Sequence, residues 1–163
     1  MPEGSAVCEG AVLTIGLISD THGLLRPEAK QALVGVDAII HAGDIGTSAV
    51  LDELAELAPL TAVRGNNDRG GWARRLRPVE TLKLGAVVIY VVHDVHDLER
   101  KPLPAGFDVV VCGHSHRPEV SLREGVLYVN PGSAGPRRFS LPVAVGFLRI
   151  DSGRARAWIH PLL

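Results

Sequence analysis

Five apolar runs of this 163-residue chain break off at residue types that can bind metals. Ala11–Ser19 runs into Asp20-Thr21-His22, Val36–Ile40 into His41-Ala42-Gly43-Asp44, and Leu60–Val63 into Arg64-Gly65-Asn66-Asn67-Asp68. Ala86–Val92 runs into His93, and Phe107–Cys112 into Gly113-His114-Ser115-His116. Such runs are continuous rather than alternating, as strands are when both sheet faces are covered. Strand carboxyl ends are where α/β sheets place their sites. The pattern therefore favours folds that gather several strand ends at one place.

Between the first three runs lie two helical signals. Pro27 suits the first turn of a short helix over 27–34. Val50, Leu51, Leu54, Leu57 and Ala58 recur three to four apart, with Asp52, Glu53 and Glu56 largely off that face. Strand, helix, strand, helix, strand predicts a βαβαβ start with parallel strands. The second half reads differently. Glu80–Leu84 and Ala86–Val92 form a hairpin around Gly85. Val120–Leu122 and Val126–Val129 flank Glu124-Gly125, and Val143–Ile150 and Arg154–Ile159 flank Asp151-Ser152-Gly153. Helix signal after residue 60 is weak. The expectation is an α/β front and a sheet-rich back, two sheets sharing one core. Residues 1–10, small and polar, read as a flexible N-terminal tail, and 11–163 as a single domain, in line with the length.

Composition narrows the function classes. Apolar residues make up 46%, too many for a largely disordered chain. Aromatics at 4% supply base-stacking platforms poorly. The net charge of −1 hides an asymmetry: residues 1–60 hold two bases and nine acids, residues 61–163 fifteen bases and nine acids. Arg64, Arg69, Arg74, Arg75, Arg77 and Lys83 crowd one segment, either as a solvated surface or as a positive rim attracting a phosphorylated substrate. A general duplex binder would more often be basic overall. Cys8 and Cys112 are too few for a disulfide scaffold, and Cys112 reads as a small buried hydrophobe. No charged n-region precedes a long apolar core, and no stretch reaches 18 uncharged apolar residues. A soluble cytoplasmic protein without membrane association is the expectation.

Seven oxygen or imidazole donors at these five strand ends (Asp20, His22, Asp44, Asn66, His93, His114 and His116) suit two metals sharing one bridging carboxylate. In a strand-like stretch residues two apart point the same way, so Asp20 with His22, or His114 with His116, could face one centre. Gly23, Gly43, Gly65 and Gly113 permit the crowded turns beside them.

The segments SDTHG (19–23), HAGD (41–44), RGNND (64–68), VHD (92–94), GHSH (113–116) and NPGSAGPRR (130–138) occur in that order. Together they resemble the calcineurin-like metallophosphoesterases, and within them the small single-domain phosphodiesterases of bacteria and archaea, a group that includes the retromer-subunit fold. The resemblance implies an α/β fold: a four-layer α/β/β/α sandwich of two mixed sheets flanked by helices, with a dinuclear metal site at the strand carboxyl ends. It implies one metal on Asp20, His22, Asp44 and His116 and another on Asp44, Asn66, His93 and His114, with Asp44 bridging. Two divalent ions are implied, manganese first, with nickel, cobalt, iron, zinc and magnesium as alternatives that a mixed O/N donor set does not separate. The implied reaction is phosphodiester hydrolysis by in-line attack of a metal-bridging hydroxide, with Asp44, Asn66, Asn67 and His93 as catalytic residues. The alternatives are a phosphomonoesterase of the same dinuclear type and a non-catalytic protein-interaction scaffold on the same fold. Loss of ligands would signal the scaffold, and all seven positions are filled. The implied partner is a small phosphodiester. Nucleic acid is an open but unindicated substrate, and a homodimer is the assembly that small relatives suggest.

Two positions depart from the family pattern. Many relatives carry a histidine directly after the asparagine of the GN motif, where this chain has Asn67 and then Asp68. Asn67 can donate a hydrogen bond but no proton near neutral pH, so a strongly basic alkoxide leaving group should suffer most. Asp94 follows His93 where glycine is common, and reads as a carboxylate orienting an imidazole or as a turn residue. His41 is read beside the bridge but off the metals, His96 at the site mouth, and His160 on the surface. Asn130-Pro131-Gly132-Ser133 is a turn that would position the GHSH loop. Arg137 and Arg138 either offer planar donors to the substrate phosphate or point to solvent. Arg69, Arg74 and Arg75 suit a lid or subunit contact, and Trp72 a core position or an exposed anchor. Cys112 has no neighbouring base to make it a nucleophile.

Overall fold

The computed structural model describes residues 12–163. The expected tail over 1–10, with Cys8, and the first strand residue Ala11 lie outside the described residues. Strand β1 (Val12–Ile18) leads to helix α1 (Pro27–Ala32), β2 (Ala38–His41), α2 (Ser48–Ala55) and β3 (Leu60–Ala62). A single turn, α3 (Gly71–Arg74), precedes β4 (Val79–Leu84) and β5 (Val87–Val92). Another, α4 (Asp97–Arg100), precedes β6 (Val109–Val111), β7 (Glu119–Arg123), β8 (Val126–Asn130), β9 (Ala144–Asp151) and β10 (Arg154–Pro161).

Two mixed five-stranded sheets result, in the orders β10-β9-β1-β2-β3 and β4-β5-β6-β8-β7. β1, β2 and β3 run parallel, as do β5, β6 and β8, while hairpins close the flanks. Side chains alternate across each strand, and in the central strands both faces are buried, which is why the sequence shows unbroken apolar runs there. Leu13, Ile15 and Leu17 meet Val87, Ile89, Val91, Val109 and Val111 between the sheets. Ile18 and Ile39 face the other way, onto Leu33, Val50 and Leu54 beside the first two helices. On the far side Tyr90, Val92, Val110 and Cys112 pack under Leu98 and Phe107. Fourteen buried side chains share the inter-sheet layer against four on that outer face. At about 1.5–3 kcal/mol per large aliphatic, the sheet–sheet contact outweighs the thin outer layer. The α/β/β/α sandwich is therefore present, with a slender fourth layer.

Several boundaries differ from the sequence expectation. β2 begins at Ala38 rather than Val36, because Asp37 is engaged in a local clasp: its carboxylate accepts Thr14 N–H at 2.8 Å and its own N–H donates to Thr14 O at 2.8 Å. α2 spans Ser48–Ala55, and Leu57 and Ala58 keep packing on the same face beyond its end. The weak helix signal after residue 60 corresponds to the two single turns. The hairpin links Glu124-Gly125 and Ser152-Gly153 hold φ of +50°/+81° and +53°/+78°, the paired left-handed geometry of two-residue turns. Among the described residues no helix is long and apolar enough to cross a membrane.

The register places the functional loops together. Ile18 pairs with His41 and His41 with Ala62, so the loops after β1, β2 and β3 leave the first sheet side by side. Val91 pairs with Val111, so the loops after β5 and β6 leave the second sheet next to one another.

Candidate metal centre

Five of the seven sequence candidates sit in left-handed backbone: Asp20 at φ +55°, His22 at +47°, Asp44 at +56°, His114 at +72° and His116 at +63°. Non-glycine residues there cost on the order of 1–3 kcal/mol each, least for Asp, Asn and His, and such strain concentrates at functional sites. Strand alternation therefore does not aim these side chains. Asp20 and His22 still converge, whereas His114 and His116 part, turned by a loop in which Ser115 N–H bonds Gly113 O at 2.9 Å.

The donors form two groups: Asp20 with His22 and His116, and Asp44 with His93 and His114, each within 4.8 Å. His116 Nε2 lies 3.5 Å from Asp20 Oδ1 and 3.3 Å from His22 Nε2. Asp44 Oδ2 stands 3.4 Å from His93 Nε2 and 3.8 Å from His22 Nε2, so one oxygen faces both groups. Asn66 Oδ1 is 3.2 Å from His114 Nδ1, which brings the seventh candidate to the second group. Metal–donor bonds of about 2.0–2.2 Å put neighbouring donors roughly 3–3.5 Å apart, close to these spacings. Asp20 Oδ1 and His93 Nε2 are buried without a hydrogen-bond partner, as is His116 Nδ1 at the rear of its ring. The first two point at the gap between the groups, and a divalent cation on each side would satisfy them. The residues present thus fit a dinuclear centre.

A dense frame holds the donors. His93 Nδ1 donates to Ala42 O at 2.7 Å, turning Nε2 toward Asp44. Asp20 Oδ2 accepts Ser19 Oγ–H at 2.6 Å and His114 N–H at 3.0 Å, leaving Oδ1 for the centre. His41 Nδ1 accepts Gly43 N–H at 3.1 Å, so its Nε2–H donates to Thr21 Oγ1 at 3.0 Å, and that hydroxyl donates to Ile45 O at 2.8 Å. Buried Asp68 accepts Ile45 N–H at 2.8 Å, Gly46 N–H at 3.0 Å and Gly65 N–H at 2.8 Å. Asn130 Nδ2 donates to Gly113 O at 3.0 Å and Ser115 Oγ at 3.1 Å, which bears out its expected role under the GHSH loop. A Cβ at Gly65 would overlap the backbone nitrogen and Oδ1 of Asp44, so only glycine admits this approach of the two loops.

Electrostatics divide the groups. Burial pushes Asp44 up, but His93 and the backbone N–H of Asn67, with smaller help from its side chain, hold the carboxyl well below the usual range. Burial raises Asp20 against the Ser19 hydroxyl and nearby imidazoles. Burial lowers His93, yet Asp44 and Asp20 outweigh it and raise the ring. His116 is lowered, first by burial and then by Arg138, with Asp20 opposing. Burial presses His41 down to about 3, which keeps it neutral. Burial pushes the Cys112 thiol up to about 12, which disqualifies it as a nucleophile.

The remaining candidates scatter. Arg137 and Arg138 are both exposed, and Arg138 is near enough for its charge to act on His116. Asn67 bonds Asp44. Asp94 takes its turn reading, with Oδ1 accepting His96 N–H at 3.0 Å, while Oδ2 stands 3.7 Å from His114 Nε2, beyond hydrogen-bond reach. His96 is exposed, and His160 is exposed with its ring edge-on to Phe147 at 5.7 Å. Half-buried Trp72 takes the core position, and Arg69, Arg74 and Arg75 are exposed. Sequence reasoning missed the work of Ser19 and Asp68. Only Asp68 left a signal, an acid closing a Gly-Asn-Asn turn, and its partners come from a distant loop.

A family profile described as a calcineurin-like phosphoesterase superfamily domain matches residues 13–153. A "Probable metallophosphoesterase" of Methanothermobacter thermautotrophicus is 37% identical over 158 residues, covering 90% of this chain and 91% of that protein. A phosphodiesterase of Methanocaldococcus jannaschii is 28% identical over 139 residues, covering 74% of this chain and 83% of that protein. The solved structure of Vacuolar Protein Sorting 29 from Cryptosporidium parvum shares the fold, with a TM-score of 0.75 at 16% identity over 91% of this chain and 96% of that one. The matched span, the 37% relative and the paired donor groups agree, and the chain belongs to the calcineurin-like phosphoesterase superfamily.

Proposed function

We propose that this chain is a divalent-metal-dependent phosphodiesterase acting on a small diester, its 11–163 span being one metallophosphoesterase domain of the small single-domain group. The observation that carries the reading is the position of Asp44 Oδ2, 3.4 Å from His93 Nε2 and 3.8 Å from His22 Nε2. One carboxylate oxygen between two donor sets is what a shared pair of cations requires. Asp20, His22, Asp44 and His116 would hold one ion and Asp44, Asn66, His93 and His114 the other, manganese first. When bound, such ions supply positive charge for phosphoryl oxygens and a hydroxide nucleophile at neutral pH.

The chain's own residues do the rest. Asp20 Oδ2 and His93 Nδ1 are tied to Ser19, His114 N–H and Ala42, so both donors are oriented before any ligand arrives. Arg138 adds positive charge beside His116, favouring an anionic substrate. Asn67 directs its amide to Asp44 and has no proton to give, so the leaving group departs as its own stable anion. That supports diesters with acidic leaving alcohols. A relative named as a phosphodiesterase supports the same reading. The filled donor set favours catalysis over the interaction-scaffold alternative.

The test uses chelator-stripped protein, bis(p-nitrophenyl) phosphate, and Mn, Mg, Co, Ni or Zn restored in turn. p-Nitrophenyl phosphate serves as the monoester with the same leaving group. Diester turnover restored by manganese, exceeding monoester turnover and lost in Asp44→Asn, is expected. Folded protein that binds two metal equivalents yet turns over neither ester overturns the reading and returns the scaffold.

A further inference from the structure

The outer face of the second sheet is only thinly covered, and a cavity of about 400 Å³ opens there beside the candidate centre. His114 and Asp94 line its inner end, whereas Asp20, His22 and His116 do not touch it. The cavity therefore begins at one flank of the donor groups and leads away from them. Its floor is apolar, made by Val95, Leu98 and the Cys112 side chain. One wall is the Tyr128 ring, stiffened by the Arg123 guanidinium 4.6 Å above its face.

The rim carries two arginines against three carboxylates, so it offers an anionic ligand no surplus of positive charge. Arg123 pairs with Glu119 at 3.5 Å, and His96 with Asp94 at 3.0 Å. Arg117 and Glu99, of opposite sign, remain alongside the Ser115 hydroxyl. A second phosphate or a carboxylate would need unopposed cations, which this rim lacks. A neutral, flat group with hydrogen-bonding edges matches a flat wall, an apolar floor and a rim of mixed donors and acceptors. The volume lies within the roughly 300–1,000 Å³ of small-molecule pockets.

We infer that this cavity seats the neutral organic ester group of the substrate, a ring-bearing group of nucleoside type, and so sets which diesters are accepted. The inference rests on the phosphodiesterase reading for its substrate but not for its test. Thymidine 5′-p-nitrophenyl phosphate and methyl p-nitrophenyl phosphate share a leaving group and differ in the retained ester. The metal-loaded protein should prefer the thymidine ester, and Glu99→Trp, an exposed substitution that fills the cavity, should lower the thymidine-to-methyl ratio of kcat/KM roughly tenfold. Backbone amide NMR gives the second readout. Thymidine 5′-monophosphate should shift the amides of Leu98, Arg117 and Tyr128, and methyl phosphate should not. Those shifts without turnover of either diester would retain the pocket and remove the hydrolase. An unchanged ratio in Glu99→Trp, or equal shifts from both phosphates, overturns the pocket while leaving hydrolysis standing.

Discussion

Asn67 grips Asp44 by both carboxylate oxygens: its backbone N–H donates to Oδ1 at 2.9 Å and its side-chain Nδ2 to Oδ2 at 2.9 Å. The second bond lands on the oxygen that faces both donor groups. Removing it leaves the backbone bond in place and frees the carboxylate to rotate. Asn67→Ala should weaken divalent-metal binding by about 10–100-fold, the usual cost of losing a group that orients a ligand. Calorimetric titration of manganese into the stripped protein measures this. An unchanged affinity would mean that Asn67 does not position Asp44.

Asp68 fastens the loop after β2 to the loop after β3 through three backbone N–H groups. The residue is buried at 7% exposure, so water cannot replace what a substitution removes. Hydrogen bonds to a charged acceptor contribute about 1.5–3 kcal/mol each and do not simply add. Asp68→Ala should destabilise the fold by roughly 3 kcal/mol or more and lower Tm by about 6–12 °C. Urea unfolding with an unchanged midpoint would contradict this.

Which donors exist was legible in the residue pattern, whereas how they group was legible only through the motif resemblance, whose two sets match the structure. Buried strands write continuous apolar runs, and the polar residue ending each run marks the sheet edge, so Asp20, Asp44, Asn66, His93 and His114 stand out. The alternation rule would have sent His114 and His116 to one centre. Their φ values of +72° and +63° send them to different groups, a backbone choice that no local residue pattern announces. Asp68 showed only as an acid closing a turn, because two of its three partners belong to Ile45 and Gly46, more than twenty residues upstream. The turns at Gly71–Arg74 and Asp97–Arg100 are too short for any periodicity to register.

His41 is fully buried and its pKa is pressed by burial from 6.5 to about 3. The unfolded chain takes up a proton below about 6.5 that the folded ring refuses. Stability from this group is complete above pH 6.5 and falls as pH drops toward 3, by about 1.4 kcal/mol per unit. His41→Asn keeps an acceptor for Gly43 N–H and removes the titration. Its unfolding free energy should depend less steeply on pH between 6 and 4, by about one proton. Parallel profiles for the two proteins would show that His41 is not the acid-sensitive group.

Metal uptake should release protons, and the reason lies in His93. Nε2 stands between Asp44 Oδ2 at 3.4 Å and Asp20 Oδ1 at 4.0 Å, and although burial opposes the charge, these carboxylates raise the pKa of the ring. A raised histidine stabilises the metal-free fold below its unfolded pKa, and that contribution disappears as pH climbs through the folded pKa. A cation needs the same nitrogen bare, so it competes with the proton and binds more tightly as pH rises. At a free manganese concentration one hundred times Kd, one site adds about 2.7 kcal/mol, or roughly 5–10 °C in Tm for a chain of this size. The Tm gain at fixed manganese should therefore grow between pH 6 and 8. Calorimetry in two buffers of different ionisation enthalpy should count protons leaving, fewer of them in His93→Ala. A gain that is flat with pH, with no protons released, would place the proton elsewhere and remove His93 from the centre.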